Sequence, residues 1–421
     1  MNSRVPEYRI QVSQLRPGVF IRLEKTSWFE HPFLFSSFKI KDDEQIALLH
    51  KLGVREVICI PEKSDVLPLR PDEKPKTETE PESELSQEAI DNLWEVKKER
   101  TRRLRAKKQH IAECEERFTL CIKTFNNIIK NMLGGNIASV EDALAFVNQM
   151  SGLFLEDRES TLHLMNVMAP SENAYSHPMN VAILSMMVGR EAGLSKEEMT
   201  ALGMGALFHD IGKAQIPKKL LKKRGTLTRP EQEMLNRHAE FGAAIVSQLK
   251  NFPKAATRVV AQHHERMDGS GFPLGLKGDS INRLAHIVAI ADTYDNHCNQ
   301  PVPTDSLTPY LALSHMFGQQ KQFFNVELLA LFIRCLGVYP PGTVVELSNG
   351  SIGMVMSVNP KNQLNPSVVL YDEDVPKKEA LIVDLADEPD LRVEKSIRLG
   401  RLPQEILEYL SPRAKITYFI E

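Results

Sequence analysis

The spacing of apolar residues changes several times along the chain, and each change marks a region. In residues 1–67, short alternating runs (Arg9 to Val12, Val19 to Leu23) flank one helical stretch, Glu44 to Leu52, which Gly53 ends; Val54 to Ile60 then reads as a strand. A small α/β regulatory or interaction domain is expected there, with Trp28, Phe29, His31 and Phe33 fitting core packing better than a binding surface. Residues 68–108 form a linker and the start of a basic helix: up to about residue 88 they are rich in Pro, Glu, Lys and Thr, too polar to offset the entropy of ordering. Within 109–135, Ile111, Cys114, Phe118, Cys121, Phe125, Ile128 and Met132 alternate steps of three and four, the seam of a connecting helix. Two outcomes fit that seam: a coiled coil pairing two subunits in a homodimer, or one helix packing on the next domain.

Residues 136–337 read as helix after helix. Ser139 with Asp142 and Ser195 with Glu198 look like capping boxes, Gly152 and Gly193 are plausible stops, and Pro178 suits the first turn of a helix that places His177 at its mouth. From residue 338 to 421 the period falls to two. Val344 to Leu347 and Ser351 to Val358 flank Asn349-Gly350, a strong hairpin signal, and Val368 to Tyr371 and Ala380 to Val383 add candidate strands. The expected fold is mainly α: an all-α helical domain with a small N-terminal α/β domain and a small C-terminal β appendage.

Composition narrows the class. A chain of 421 residues with 42% hydrophobic residues implies two or three globular domains. No apolar run reaches the roughly eighteen residues of a membrane span, and the first twenty lack a signal-peptide layout, so a cytoplasmic location is expected. The five cysteines are scattered, without metal or redox spacing. A net charge of -3 gives no general attraction to nucleic acid, and the basic run Lys97 to Lys108 carries no interleaved aromatics, which fits a solvated helix face.

The candidate chemistry lies in the helical region. His209 and Asp210 are adjacent near a helix end, about 100° apart around the axis. The same region holds His177, His238, His263, His264 and Asp292, more imidazoles and carboxylates than core packing needs. Such donors suit iron, manganese or zinc rather than a soft thiolate site. A bridging carboxylate such as Asp210 lets two metals sit about 3.5 to 4 Å apart, a separation suited to phosphoryl chemistry. Lys213, a turn beyond His209, is placed to hold a phosphate oxygen or a hydroxide. The segment His263-His264-Glu265-Arg266-Met267-Asp268-Gly269-Ser270-Gly271-Phe272-Pro273 cannot continue as helix, so a loop walling the pocket is expected.

These motifs carry a resemblance. His209-Asp210-Ile211-Gly212-Lys213, His238 with Gly242, His263-His264-Glu265 with Asp268 to Pro273, and Ile290 to Asp295 resemble the HD-GYP family, bacterial phosphodiesterases of the HD superfamily that hydrolyse cyclic di-GMP. Residues 1 to about 70 also resemble a small uncharacterised domain often fused in front of this one. The resemblance implies an HD-GYP metal-dependent phosphohydrolase domain at 136–337 and cyclic di-GMP as substrate, opened to pGpG, GMP or both through a metal-bridging hydroxide. It implies two divalent metals, iron or manganese: one on His177, His209, Asp210 and Asp292, the other on Asp210, His238, His263 and His264. Lys213 would act on the hydroxide or scissile phosphate and Asp295 would orient a ligand. The family's third-metal glutamate position is Asn173 here.

Two departures bear on substrate. The family's Gly-Tyr-Pro is Gly271-Phe272-Pro273, still expected to contact substrate, and its Arg-Pro-Tyr-Arg-Lys run is replaced by Thr308-Pro309-Tyr310-Leu311-Ala312. Lys223, with Lys218, Lys219, Lys222 and Arg224, either substitutes for those cations or forms a solvated basic loop; both fit the sequence. The alternative is a catalytically weak adaptor that binds cyclic di-GMP or a diguanylate cyclase partner. A hydrolase of another nucleotide is disfavoured by the Gly-Phe-Pro loop.

Overall fold

The structure is a computed structural model. It describes residues 7–23, 31–33, 36–70, 87–134, 138–155, 161–162, 176–223, 225–300, 305–359, 361–373, 375–377, 380, 382–389, 391–398 and 401–410. Trp28, Phe29, Asn173, Arg224 and most of the linker fall outside these. The chain divides into two compact units: Met1–Lys107 with Leu347–Gly353 and Val369–Val383, and Lys108–Glu346 with Met354–Val368 and Asp384–Glu421.

In the first unit a four-stranded sheet runs in the order β1-β4-β2-β3, with β1 at Tyr8–Gln11, β2 at Phe20–Arg22, β3 at Ser37–Lys39 and β4 at Glu56–Cys59. Its pairs are antiparallel, Ile10 opposite Val57 and Ile21 opposite Cys59. Helix α1, Asp43–Lys51, begins where the Asp42 carboxylate accepts the Gln45 N–H at 2.9 Å. Leu48 and Leu49 of α1 join Ile10, Ile21 and Val57 in the core. Strand β3 had no sequence signal: its three residues are half-buried or exposed.

Helix α2, Gln87–Leu133, is continuous for 47 residues. Most of its described basic residues are solvated and paired within the helix, Lys98 with Glu95 at 2.9 Å and Arg102 with Glu99 at 2.6 Å. Lys97 corrects the solvated-face expectation: it is 3% exposed and donates to the His31 carbonyl at 2.7 Å. His31 is itself fully buried, in keeping with core packing.

In the second unit the seam of α2 is used inside the chain. Cys114, Phe118, Cys121, Phe125, Ile128 and Met132 all enter the helical core, Phe118 edge-on to Phe154 at 5.9 Å and Phe125 edge-on to Phe208 at 5.5 Å. Around it stand α3 (Ala138–Leu155), α4 (Ser176–Glu191), α5 (Lys196–Phe208), α6 (Arg229–Asn236), α7 (His238–Ser247), α8 (Lys254–Gln262), α9 (Arg283–Cys298), α10 (Pro309–Gln319) and α11 (Val326–Leu336). The Ser195 box forms in full, its hydroxyl accepting the Glu198 N–H at 3.2 Å and Glu198 accepting the Ser195 N–H at 2.9 Å. Helix α3 starts at Ala138, which puts Ser139 inside the first turn rather than at the cap.

The C-terminal region is a five-stranded sheet, order β8-β7-β6-β5-β9, from β5 (Val344–Leu347), β6 (Ile352–Ser357), β7 (Ser367–Leu370), β8 (Ile382–Asp384) and β9 (Val393–Ile397). The Asn349-Gly350 turn closes β5 on β6, with Gly350 at φ +80°. Strand β9 and the short helix Gln404–Leu410 went unsignalled in the sequence. Among the described residues no helix is long and apolar enough to cross a membrane.

Candidate metal centre

Three of the seven predicted ligands are presented by one device, a helix end. His209 follows the last residue of α5, His263 follows α8, and His238 opens α7 directly after α6. Carbonyls at a helix C-terminus lack intrahelical partners. Here each meets the imidazole three residues on: His209 Nδ1 stands 2.6 Å from Ala206 O, His238 Nδ1 2.7 Å from Leu235 O and His263 Nδ1 2.8 Å from Val260 O. A carbonyl only accepts, so in each ring Nδ1 carries a proton, and the neutral form of the ring offers its lone pair at Nε2.

His177 is held differently. It lies in the first turn of α4, and its Nδ1 is 2.7 Å from Asp295 Oδ2. Asp295 Oδ1 accepts from Asn180 Nδ2 and from Asn299 Nδ2, each at 2.8 Å. Asp292, a turn earlier on α9, receives Asn296 Nδ2 at 2.8 Å and lies 3.1 Å from His177 Nε2.

Asp210 joins the two sides. Ligand atoms of His177, His209 and Asp210 lie within 4.8 Å of one another, as do those of Asp210, His238, His263 and His264. Asp292 Oδ1 is 3.8 Å from His209 Nε2, and its Oδ2 is 3.8 Å from His264 Nδ1. Gly212 makes this convergence possible: a Cβ there would fall 1.9 Å from His238 O and 2.4 Å from Gly242 N, so only glycine lets the chain after Asp210 touch the start of α7. The six residue positions at the ends of α5, α7, α8 and along α4 and α9 thus share one pocket, and the seventh, His264, follows His263 into it.

Charge states suit a cation. Burial pulls His263 well below its usual value and neighbouring imidazoles add to this; burial likewise takes His264 down to about 4 against the pull of Asp292, and lowers His238. These rings are neutral at pH 7, the form that binds metal. Burial opposes ionisation of Asp210 and Asp292, but surrounding imidazoles and, at Asp210, Lys213 overcome it and hold both below the ordinary carboxylate range. Burial also lowers His177, yet Asp292 and Asp295 more than reverse it and raise the ring to about 10. The fit to a metal is independently marked by His209 Nε2, which is buried and has no hydrogen-bond partner. Lys213 Nζ stands 2.5 Å from Asp210 Oδ2 on the half-exposed side, which raises the ammonium against its burial.

The loop after His264 forms a wall, as expected. Phe272 lies 4.6 Å, ring to ring, from His264, and the Phe272-Pro273 peptide is cis. Gly271 runs against the backbone of Glu265 and Arg266, where a Cβ would meet Arg266 N at 2.4 Å. Glu265, 1% exposed, accepts the N–H of Leu274 at 2.7 Å and of Leu276 at 2.9 Å and so ties the loop down. Lys223 is engaged elsewhere, in a 2.6 Å ion pair with Glu231, and Lys218, Lys219 and Lys222 are exposed. Thr308 and Pro309 are the cap and first residue of α10, the Thr308 hydroxyl accepting the Leu311 N–H at 3.3 Å. Sequence reasoning passed over Asn180, Asn296, Asn299 and the clamp Glu265; the four-residue step from Asp292 to Asn296 and from Asp295 to Asn299 was the available signal.

Residues 159–328 match the HD domain, residues 7–143 a domain of unknown function termed DUF3391, and residues 344–404 a KOW domain associated with the HD domain. The HD-domain match spans all seven of the expected ligand positions, from His177 to Asp292. It is 26% identical over 367 residues to the cyclic di-GMP phosphodiesterase PA4108 of Pseudomonas aeruginosa, spanning 86% of this chain and 84% of that protein. The cyclic di-GMP phosphodiesterase response regulator RpfG of Xanthomonas campestris is 35% identical over 149 residues, 35% of this chain and 39% of its own length. Among solved structures, Bd1817, an HDG"Y"P protein from Bdellovibrio bacteriovorus, aligns over 78% of this chain and 98% of its own at 14% identity and a TM-score of 0.46.

Proposed function

We propose that this protein is a metal-dependent cyclic di-GMP phosphodiesterase that opens the cyclic dinucleotide to pGpG, GMP or both. The observation that carries the reading is Asp210: one carboxylate belongs to both ligand groups, the arrangement that two adjacent cations require. The names of the relatives above support cyclic di-GMP as the substrate.

His177, His209, Asp210 and Asp292 hold one ion, and Asp210, His238, His263 and His264 hold the second; imidazole with carboxylate favours iron or manganese. When bound, the ions supply Lewis acidity and a water that ionises near neutral pH. The helix-end carbonyls keep His209, His238 and His263 in the tautomer that offers Nε2. Asp295, fixed by two asparagines, orients His177. Lys213, on the open side of Asp210, takes a phosphoryl oxygen of the substrate, and Phe272 walls the site beside His264. Hydrolysis adds water oxygen to phosphorus and breaks the bond to a ribose 3′ oxygen, which leaves with the proton. The N-terminal α/β domain serves regulation or interaction.

One observation favours a second reading, an adaptor that binds cyclic di-GMP with little turnover: Lys223 is tied to Glu231 and the residues replacing the family's cationic run are an uncharged helix cap. The test is to purify the protein anaerobically, count iron and manganese per chain, and follow cyclic di-GMP hydrolysis beside Asp210→Ala. Two metals and turnover in the parent, with both lost in the variant, is the expected result. Metal and binding without turnover would establish the adaptor; equal turnover in the variant would overturn the mechanism.

A further inference from the structure

Arg266 is a half-buried cation beside the site. Buried charges in folded proteins are compensated by ion pairs or several hydrogen bonds. The Arg266 side chain is only partly exposed, and burial lowers the guanidinium against the opposing pull of Asp292 and Asp268. Yet among the described residues no carboxylate lies within ion-pair distance of it, and its one hydrogen bond is long, Nη1 donating to Thr293 Oγ1 at 3.4 Å. Its carbon centre is 5.2 Å from the Phe324 ring and 5.8 Å from the Phe323 ring. These rings set the group's position and leave most of its five donors unused.

Its place in the chain is fixed from three sides. It follows His263-His264-Glu265 directly; its contact Thr293 neighbours Asp292; and Gly271 presses on its backbone N–H. Met267 N–H donates to Phe323 O at 3.0 Å, which anchors the same turn to the rings. A preset, unpaired, planar cation next to a phosphoester-cleaving centre is suited to bidentate contact with a phosphate. Of the other cations that the sequence placed here, Lys213 and Lys223 are paired, with Asp210 and Glu231, and Lys218, Lys219 and Lys222 are exposed.

We infer that Arg266 is a substrate-binding residue that holds the second, non-scissile phosphate of the cyclic dinucleotide, in place of the cations missing after Asp295. The inference rests on the reading of the site as a cyclic dinucleotide phosphodiesterase. Bis(p-nitrophenyl) phosphate, which has a single phosphate, separates the two claims. In Arg266→Gln, KM for cyclic di-GMP should rise tenfold or more with kcat within about twofold, while metal content and turnover of bis(p-nitrophenyl) phosphate stay at parent values. Arg266→Met, which keeps an apolar stem against Phe323 and Phe324, should behave the same way and decides the matter if the glutamine variant does not fold. An unchanged KM for cyclic di-GMP overturns the inference. So does an equal loss on both substrates together with lost metal, which would make Arg266 a structural clamp. A parent protein that hydrolyses bis(p-nitrophenyl) phosphate but not cyclic di-GMP would sink the substrate reading, and the role of Arg266 with it.

Discussion

The centre holds its histidines by two different means, and both occur within one ligand group, which His177 and His209 share. At His177 the imidazole leans on a carboxylate, Asp295, which leans in turn on Asn180 and Asn299. At His209, His238 and His263 it leans on main-chain carbonyls three residues earlier. The carboxylate raises the affinity of its ring for a proton as well as for a metal; the carbonyls fix orientation without adding charge. His177 is therefore tunable through side chains, and the other three rings are locked to the helix ends.

The largest effect should come from disturbing the join between the sides. Gly212→Ala forces a methyl into space 1.9 Å from His238 O, so α7 must retreat from Asp210. Overpacking of this kind costs about 1–3 kcal/mol, and a misplacement of about 1 Å can cost about 100-fold in rate. Metal content and thermal melting measure it, and a variant with parental metal content would show that the close approach is not what joins the sides.

Next comes Asp295→Asn, which removes charge behind His177 alone. Outer partners of this kind are worth about 10–100-fold in metal affinity. Competition with a chelator should show one ion weakened and one unchanged; equal weakening of both would erase the distinction between the sides.

The pH response should also divide them. In the metal-free protein His177 titrates at about 10, raised from 6.5, so at pH 7 it is protonated and must release a proton to bind metal. Affinity on that side rises with pH up to about 10. His264, at about 4, is already neutral at pH 7, and burial lowers His238 and His263 as well, so that side has no ring proton to release there. The same shift at His177 stabilises the metal-free fold fully below pH 6.5 and is lost as pH climbs through about 10. Calorimetry in buffers of different ionisation enthalpy reads the released proton, and Asp295→Asn should reduce the release, with Asp292 still raising the ring. The smallest effect is expected from Ser195→Ala, at the far end of α5 from His209: about 1 kcal/mol of stability with metal content unchanged.

Much of this was legible in the sequence because it is written in local spacing. The seam Cys114 to Met132, the Ser195 box and the Asn349-Gly350 turn each follow from residues close in the chain. The seven convergent donors were legible because unusual residue types accumulate in one helical region. What stayed hidden depends on tertiary approach. Lys97 looks like any member of a basic run until the His31 carbonyl is brought to it from 66 residues away. Lys223 looked free until Glu231 was folded against it, and Arg266 gained interest only once its lack of an ion pair could be seen. Strand β3 has too few residues and too little burial to leave a period.

The carboxylate of Glu265 has one more consequence, visible on the timescale of proton exchange. Leu274 is 69% exposed at the tip of the loop, and a loop amide there would ordinarily trade its hydrogen with solvent at once. Its N–H and that of Leu276 are instead bound to a buried oxygen, so both should exchange in heavy water as slowly as the core helices. The rim of the pocket is then a part of the folded core in all but appearance, and it stays in place while substrates come and go.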